Sequence, residues 1–254
     1  MMDVLGFPAG ATYPRGLIDL SGSCPCFGPW AEAYGAHLLC RHPGSTATPV
    51  AWIVRLCIAA RVLTDIKSLK KQIRIAALAR RDALPAEFRI EASLGMAQAA
   101  GVLECAPGSV VSGFWPMRSE ADMRPLMFAL RGLGARLALP AILDKTTIVF
   151  RELVRGADLV DMGFGTVGPG PEADMLDPWL MLVPLAAFDR RGRRIGYGAG
   201  YYDRAIARLI EKGMRPKLVG IAFGCQEVEA VPDEIHDVRL DQVLTENGLR
   251  GFPF

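Results

Sequence analysis

The sequence of 254 residues lacks an excess of charge of one sign. It carries 29 basic and 27 acidic residues, which gives a formal net charge of +2. A protein dedicated to nucleic acid or to an anionic membrane surface normally shows a stronger basic imbalance. We therefore expect neither a nucleic-acid partner nor a membrane partner. A nucleic-acid binder that uses the basic stretch from Lys70 to Arg81 is the weakest alternative.

The sequence also has little cysteine and no long apolar run. Six cysteines in the whole chain are too few for a disulfide scaffold, so a reducing cytoplasm is the expected location. The longest apolar stretch, 50–63, contains Arg55 and Arg61 and is too short to span a bilayer. No charged start followed by an apolar run is present, so we expect no secretory signal.

The first 66 residues differ in kind from the rest. They hold only four basic and four acidic residues, and up to residue 49 they show no sustained helical or strand period. We predict an irregular or disordered extension over 1–66 and one compact domain over 67–254. One hypothesis is that the native protein starts translation downstream of this extension.

A zinc site in the extension is a less favoured alternative. Its candidate ligands are Cys24, Cys26, His37, Cys40 and His42. Their spacing matches no standard zinc finger, because Cys-x-Cys replaces the usual Cys-x₂-Cys knuckle.

Helical and strand-like segments alternate after the extension. The apolar pattern predicts helices over 51–84, 85–100, 123–134 and 201–212, and strands over 109–115, 136–139, 146–150, 179–185, 217–223 and around Val243. Pro140 is expected to end its strand, and the segment 161–178 is predicted to be a loop. Continuously apolar strands between helices predict an α/β layered single domain with a mainly parallel central sheet flanked by helices.

A glycine-rich turn follows the most apolar strand and precedes a helix. Gly196, Gly198 and Gly200 allow the backbone to approach a ligand closely, and the positive end of the helix suits a phosphate. Asp203, in the first helical turn, could hold Mg²⁺. The pattern is neither the Rossmann fingerprint nor Walker A, so a tight turn with Asp203 as a helix cap is the alternative interpretation. Further positive charge comes from Arg193, Arg194 and Arg204.

With its neighbours, this turn resembles the signature of the 5-formyltetrahydrofolate cyclo-ligase family. The resemblance is carried by Val183-Pro184, Phe188-Asp189, Gly192, Arg194, the three alternating glycines and Tyr201-Tyr202-Asp203. Three further segments agree in order and spacing: the basic helix 70–80, the segment Phe114-Trp115-Pro116-Met117 with Glu120, and Leu240-Asp241 through Leu244. Together they cover 67–245 and none of the extension.

The resemblance implies an ATP- and Mg²⁺-dependent ring closure. 5-Formyltetrahydrofolate, with or without a polyglutamate tail, becomes 5,10-methenyltetrahydrofolate, and ADP and phosphate are released. Phosphorylation activates the formyl oxygen, and N10 then closes the ring with loss of phosphate. Such chemistry needs positioned reactants and neutralised phosphate charge rather than a protein nucleophile. The chain accordingly has no nucleophile elbow, no HExxH motif and no plausible Ser-His-Asp spacing.

The resemblance also implies roles for individual residues. ATP would be bound by Lys70, Arg74, Arg194, Gly196, Tyr197, Gly198, Ala199, Gly200, Tyr201 and Tyr202. The folate would be bound by Met117, Glu120, Tyr201 and Tyr202, and Mg²⁺ by Asp203 and Asp241. No residue is expected to act as a nucleophile, and a monomer is expected.

Several of these assignments have plainer alternatives. Lys70 and Arg74 could form a solvated basic face, and the two tyrosines, like Phe114, Trp115 and Met117, could be packing residues. Some relatives carry a basic residue inside the turn where this chain has Tyr197 and Ala199. The alternative function is a non-catalytic folate- or nucleotide-binding regulatory protein of the same fold.

Overall fold

The computed structural model describes residues 49–163, 165–234 and 237–253, with side chains from residue 66 onward. The five candidate zinc ligands, Cys24, Cys26, His37, Cys40 and His42, lie outside the described residues, as does the greater part of the predicted extension. The chain divides into two compact units, Met1–Arg61 and Val62–Phe254. The site described below belongs to the second unit.

Four α-helices and eleven strands are formed by the described residues. The helices are α1 (Pro49–Asp82), α2 (Ala86–Met96), α3 (Arg124–Gly132) and α4 (Tyr201–Glu211), and a 3₁₀ segment, Ala97–Val102, follows α2. The strands are β1 (Val110–Ser112), β2 (Arg136–Ile142), β3 (Ile148–Glu152), β4 (Leu159–Asp161), β5 (Val167–Pro169), β6 (Leu180–Pro184), β7 (Ala187–Phe188), β8 (Arg194–Ile195), β9 (Lys217–Ile221), β10 (Gln242–Thr245) and β11 (Gly248–Gly251).

Seven of these strands form the central sheet, in the order β11-β10-β9-β6-β1-β2-β3. The five inner strands are parallel, and only the edge strands β11 and β3 run antiparallel to their neighbours. The predicted α/β domain with a mainly parallel sheet is therefore confirmed. In parallel sheets of this kind, ligands bind beyond the carboxyl ends of the strands.

The sheet is covered on both faces, which explains why its inner strands are continuously apolar. In β6, Leu180 and Leu182 pack in one cluster with α2 and α3, while Met181 and Val183 pack in a second cluster with α4. All four side chains are fully buried. Residues on both faces of the strand thus contact helices, so polar and apolar residues need not alternate along it.

Pro140 does not end its strand, and that prediction is wrong. β2 continues through Pro140 to Ile142, with Pro140 opposite Phe150 of β3. The pairing of β2 with β1 ends at Ala138, so the residues beyond it have a strand on one side only. A missing N–H group is tolerated where no second strand needs it.

The prediction of a loop over 161–178 is also wrong in part. β5 lies inside this segment and pairs with β4 in an antiparallel ladder that joins Leu159 to Pro169. The glycine and proline content hides this short strand, because its order depends on β4 and on the neighbouring sheet rather than on its own pattern.

Helix α1 and the β7–β8 hairpin position the glycine-rich turn. Ala77 of α1 packs in a small buried cluster with Ala187, Ile195 and Val231. The turn begins directly after β8, so this contact fixes its distance from α1. Among the described residues, no helix combines the length and the apolar character needed to cross a bilayer.

Candidate active site

A cavity of about 820 Å³ opens at the carboxyl end of the parallel sheet. It is bounded by segments that follow β1, β2 and β6, by the start of β3, by one face of α1, and by the glycine-rich turn with the first turn of α4. Its apolar wall consists of Phe114, Trp115, Met117, Pro140, Ile142, Ile148 and Pro184. Phe114 is also part of the core cluster beside α3, so this residue packs in the core as well as lining the cavity.

Lys70 of α1 lies at the cavity but does not touch the glycine-rich turn. Its ammonium group lies 2.8 Å from Glu234 Oε2 and 2.5 Å from Asp237 Oδ2. Burial alone would lower the pKa of Lys70, but the hydrogen bonds and charges of Asp237 and Glu234 outweigh it and raise that pKa. Lys70 is thus a charged, paired side chain and not part of a solvated basic face.

Arg74, one helical turn further along α1, does contact the turn. Its Nε donates to the Gly196 carbonyl oxygen over 2.7 Å, between residues 122 positions apart in the chain. A Cβ atom built on Gly198 would lie 3.6 Å from the Arg74 guanidinium, and the φ angle of Gly198 is +105°. Burial lowers the pKa of Arg74 from its ordinary value, but an arginine remains charged in this range.

The turn ends at Gly200, which is the residue before helix α4 and has a left-handed φ of +66°. Arg204 holds this end in place by donating to Ala199 O over 2.7 Å and to Thr146 O over 2.6 Å. A Cβ atom on Gly200 would lie 2.8 Å from the Arg204 guanidinium. Gly200 and the first turn of α4 line the cavity, where the first N–H groups of a helix have no partner within the helix.

Arg194 and Asp203 form a buried ion pair beside the turn. Arg194 Nη2 lies 2.6 Å from Asp203 Oδ1, and the Arg194 side chain is only 5% exposed. Its other terminal nitrogen donates to the Val238 carbonyl oxygen. Gly200 occupies the cap position of α4, and Asp203 lies in the first turn of the helix, where its carboxylate binds Arg194.

Glu120 reaches the cavity from the segment after β1. Its Oε2 accepts a hydrogen bond from the Met117 N–H over 2.8 Å, and its Oε1 accepts one from the Tyr197 hydroxyl. Burial raises the pKa of Glu120, and the bonds from Tyr197 and Met117 together with the charge of Arg81 oppose that rise. A carboxylate with both oxygens anchored is suited to accept hydrogen bonds from a ligand.

Tyr201 and Tyr202 line the cavity and also pack. The Tyr202 ring lies 6.5 Å from the Phe150 ring, and Arg204 lies 5.4 Å over the Tyr201 ring. The Tyr202 hydroxyl is buried and has no hydrogen-bond partner among the described residues. Burial, followed by the charge of Glu120, raises the pKa of Tyr202 above its ordinary value, so this hydroxyl is neutral.

Asp241 is not brought to the cavity, so the structure gives no support to a metal role for this residue. Its Oδ2 accepts a hydrogen bond from the Leu218 N–H over 2.7 Å, at the amino end of β9, where it joins β9 to the start of β10. Asp237 and Glu234 line the cavity instead. In the described part of the chain, no three acidic, histidine or cysteine side chains are close enough together to form a preformed metal centre.

Three functional side chains were missed by the sequence reasoning. Glu234 and Asp237 lie between β9 and β10 in a polar segment whose pattern predicts nothing beyond a loop. Arg81 looks like a surface residue at the end of a basic helix, but it is 2% exposed and contacts Tyr197. The only available signal was spacing, since Arg81 lies seven residues after Arg74 and so on the same face of α1.

Comparisons with known proteins point to one family. The model of the 5-formyltetrahydrofolate cyclo-ligase family matches residues 66–246. The 5-formyltetrahydrofolate cyclo-ligase of Mycolicibacterium smegmatis is 31% identical over 193 residues, which is 69% of this chain and 93% of that protein. The protein of the same name from Escherichia coli K12 is 30% identical over 141 residues, which is 53% of this chain and 76% of that protein.

Two solved structures are similar as well. The 5,10-methenyltetrahydrofolate synthetase of Aquifex aeolicus superposes with a TM-score of 0.61 at 28% identity, over 73% of this chain and 94% of that chain. The synthetase of the same name from Mycoplasma pneumoniae superposes with a TM-score of 0.54 at 22% identity, over 68% of this chain and 96% of that chain. This second likeness shows the shared fold alone.

Proposed function

Because the chain belongs to the 5-formyltetrahydrofolate cyclo-ligase family, we propose that it catalyses the ATP- and Mg²⁺-dependent conversion of 5-formyltetrahydrofolate to 5,10-methenyltetrahydrofolate, with release of ADP and phosphate. The observation that carries the proposal is that one cavity is lined by both the glycine-rich turn and the anchored carboxylate of Glu120. Arg74 and Arg194 lie on the side of the turn, and Glu120 lies on the side of the apolar wall. A nucleotide and a folate could thus meet in one enclosure.

The triphosphate is assigned to the turn between Gly196 and Gly200. Backbone N–H groups there and at the start of α4 are donors for phosphate oxygens, and the dipole of α4 favours negative charge. Arg74 and Arg194 supply fixed positive charge at the same place, and Lys70 lies at the cavity edge. In phosphoryl transfer, such preorganised donors and cations provide most of the catalysis.

A Mg²⁺ ion that accompanies the nucleotide fits the acidic side chains at this end of the cavity. Asp203 offers one oxygen that is not bonded to Arg194, and the Asp237 carboxylate, which is paired with Lys70, lines the same cavity. Oxygen ligands of this kind suit Mg²⁺, which keeps waters and phosphate oxygens as its other ligands. When bound, the ion would neutralise charge on the transferred phosphoryl group.

The pterin ring is assigned to the apolar wall and Glu120. Phe114, Trp115 and Met117 offer a flat apolar surface, and the carboxylate of Glu120 suits the amino and N–H donors of the ring. This placement points the N5-formyl group toward the turn.

The chemistry then requires positioning rather than a protein nucleophile. The formyl oxygen attacks the terminal phosphorus of ATP and ADP leaves, which converts the oxygen into a good leaving group. The lone pair of N10 next attacks the formyl carbon and the ring closes. The carbon–oxygen bond then breaks, and the released phosphate carries away the proton of N10. The residues of the cavity hold the two substrates in line and exclude water during these steps.

The test is conversion by the purified full chain, followed through the near-ultraviolet absorbance of the conjugated methenyl product. We expect product only when ATP and Mg²⁺ are both present. Arg194→Gln should reduce kcat/KM by at least about a hundredfold, the scale for loss of one transition-state donor. Its matched control is Arg190→Gln, because the exposed Arg190 pairs with Glu227 and does not line the cavity.

Two results would count against the proposal. Absence of product with the wild-type chain, Mg²⁺-ATP and 5-formyltetrahydrofolate would refute the activity. Binding of both ligands without turnover would favour the non-catalytic regulatory protein instead.

A further inference from the structure

The side chain of Tyr197 leaves the glycine-rich turn and reaches the folate side of the cavity. Its hydroxyl donates to Glu120 Oε1, a residue 77 positions away in the chain. The backbone of Tyr197 belongs to the turn assigned to the triphosphate, but its phenol contacts the carboxylate assigned to the pterin. The resemblance assigns this residue to ATP binding alone.

Arg81 makes the second contact to the same hydroxyl. Its Nη1 donates to the Tyr197 oxygen over 2.6 Å, its Nε donates to Ser119 Oγ over 2.9 Å, and its guanidinium lies 5.9 Å from the centre of the Tyr197 ring. Asp82 lies 3.9 Å from Arg81 Nε but is itself exposed, so it screens this charge only partly. A buried arginine therefore donates to the phenol oxygen from one side, and Glu120 accepts a hydrogen bond from the phenol on the other.

We propose that Arg81 and the phenol of Tyr197 are positioning residues that hold Glu120 ionised and correctly oriented for the pterin. This inference rests on the proposed function, since it gives a role in folate binding to two side chains outside the predicted folate set. Each carboxylate oxygen can accept two hydrogen bonds. Glu120 uses one position on each oxygen, for Met117 and for Tyr197, and the remaining positions are available to the ring.

The charge balance around Glu120 explains why two positioning residues are needed. From α1, Arg81 favours the ionised carboxylate, and from the turn, the Tyr197 hydroxyl does the same as a donor. From α4, Tyr202 faces the carboxylate with a neutral hydroxyl, whose pKa rises further because Glu120 is negative. Burial opposes ionisation, so the pKa of Glu120 is already raised, and any lost donor would raise it more.

The decisive variant is Tyr197→Phe, because it keeps the ring over Arg81 and removes only the hydroxyl. The measurement is the equilibrium Kd of 5-formyltetrahydrofolate for the full chain without nucleotide, across pH. Near neutral pH we expect the variant to bind about tenfold more weakly, the scale for one hydrogen bond to a charged group. Arg80→Gln is the matched control for α1, because Arg80 is exposed, contacts the Cys225 carbonyl oxygen and does not line the cavity.

The pH dependence separates positioning from general support of the structure. Binding that needs ionised Glu120 is present above the pKa of that group and is lost as the pH falls through it. Since removal of the hydroxyl raises this pKa, the loss should begin at a higher pH in Tyr197→Phe than in the wild type. Arg81→Lys, which keeps the charge but not the two-point contact, should lie between the two.

An unchanged Kd with an unchanged pH profile in Tyr197→Phe would overturn the inference. A higher Kd with an unshifted pH profile would also overturn it, because that result means that packing was lost while the ionisation of Glu120 was unchanged. If the wild-type chain binds folate but does not convert it, only the proposed activity is refuted. The ratio of the Kd values of Tyr197→Phe and the wild type would still decide this inference. Wild-type chain that binds no folate would refute both.

Discussion

Replacement of Lys70 by glutamine removes the cation that separates two carboxylates at the edge of the cavity. Lys70, Glu234 and Asp237 have side chains that are 13%, 16% and 20% exposed. Removal of one partner from a fully buried ion pair costs about 3–5 kcal/mol, whereas an exposed pair contributes about 0–1 kcal/mol. The Lys70 pair lies between these limits, so we expect Lys70→Gln to lower the free energy of unfolding by about 2 kcal/mol.

The contacts of Asp237 determine how much of this loss in stability belongs to the Lys70–Asp237 pair. Asp237 Oδ2 keeps a 2.8 Å hydrogen bond from the Glu234 N–H when Lys70 is lost, so it is not left wholly without a partner. In a double-mutant cycle of Lys70→Gln and Asp237→Asn, we therefore expect a coupling of about 1 kcal/mol. The raised pKa of Lys70 means that this stabilisation is complete at neutral pH and is lost only as the pH rises through that pKa.

The assay is unfolding by urea at pH 7, with an internal control. Lys212→Gln removes a lysine that contacts Asp177 at 2.8 Å, but the two side chains are 58% and 41% exposed. That variant should lose less than about 0.5 kcal/mol. Equal losses for the two lysine variants, or a coupling near zero between Lys70 and Asp237, would refute the reasoning from burial.

Two further pairs of substitutions test the turn and the metal assignment. Gly200→Ala should lower the free energy of unfolding by about 1–2 kcal/mol in urea titration, because alanine is disfavoured at a positive φ and its Cβ would press on Arg204; Gly196→Ala, whose Cβ would meet nothing within 4 Å, should cost clearly less. Asp203→Asn should raise the Mg²⁺ concentration needed for half-maximal turnover by about tenfold, and Asp241→Asn should leave that concentration unchanged.

Each of these two predictions has an outcome that would contradict it. If Gly200→Ala and Gly196→Ala destabilise equally, the left-handed conformation at Gly200 is not needed. If Asp241→Asn changes the Mg²⁺ requirement as much as Asp203→Asn does, the metal assignment made from the cavity lining is wrong.

Local pattern was enough for most of the fold. The strand at Leu180–Pro184 and the helix at Tyr201–Glu211 follow from one-dimensional patterns, because continuous apolar runs and helical spacing depend on neighbours in sequence. The same reasoning gave wrong predictions for Pro140 and for the short strand β5. Whether a proline or a glycine-rich segment can join a sheet depends on which strands lie beside it, and that information is not local.

The candidate site shows the same difference between what local sequence pattern predicts and what depends on tertiary contacts. The sequence pattern predicted the glycine-rich turn with Asp203 in the helical turn that follows, and the family resemblance supplied the expected roles of Arg74, Arg194 and Glu120, all of which line one cavity. Asp241 instead accepts a hydrogen bond from the Leu218 N–H and is not among the cavity-lining residues. An acid at the start of a strand has the same local pattern in either position.

Only the tertiary structure decided which distant residues meet. It paired Lys70 with Glu234 and Asp237, 164 and 167 positions away, and it joined Tyr197 to Arg81 and Glu120. Charges attract within a few ångströms of space and not along the chain, so their partners are set by how α1, the turn and the segment before β10 pack at one end of the sheet.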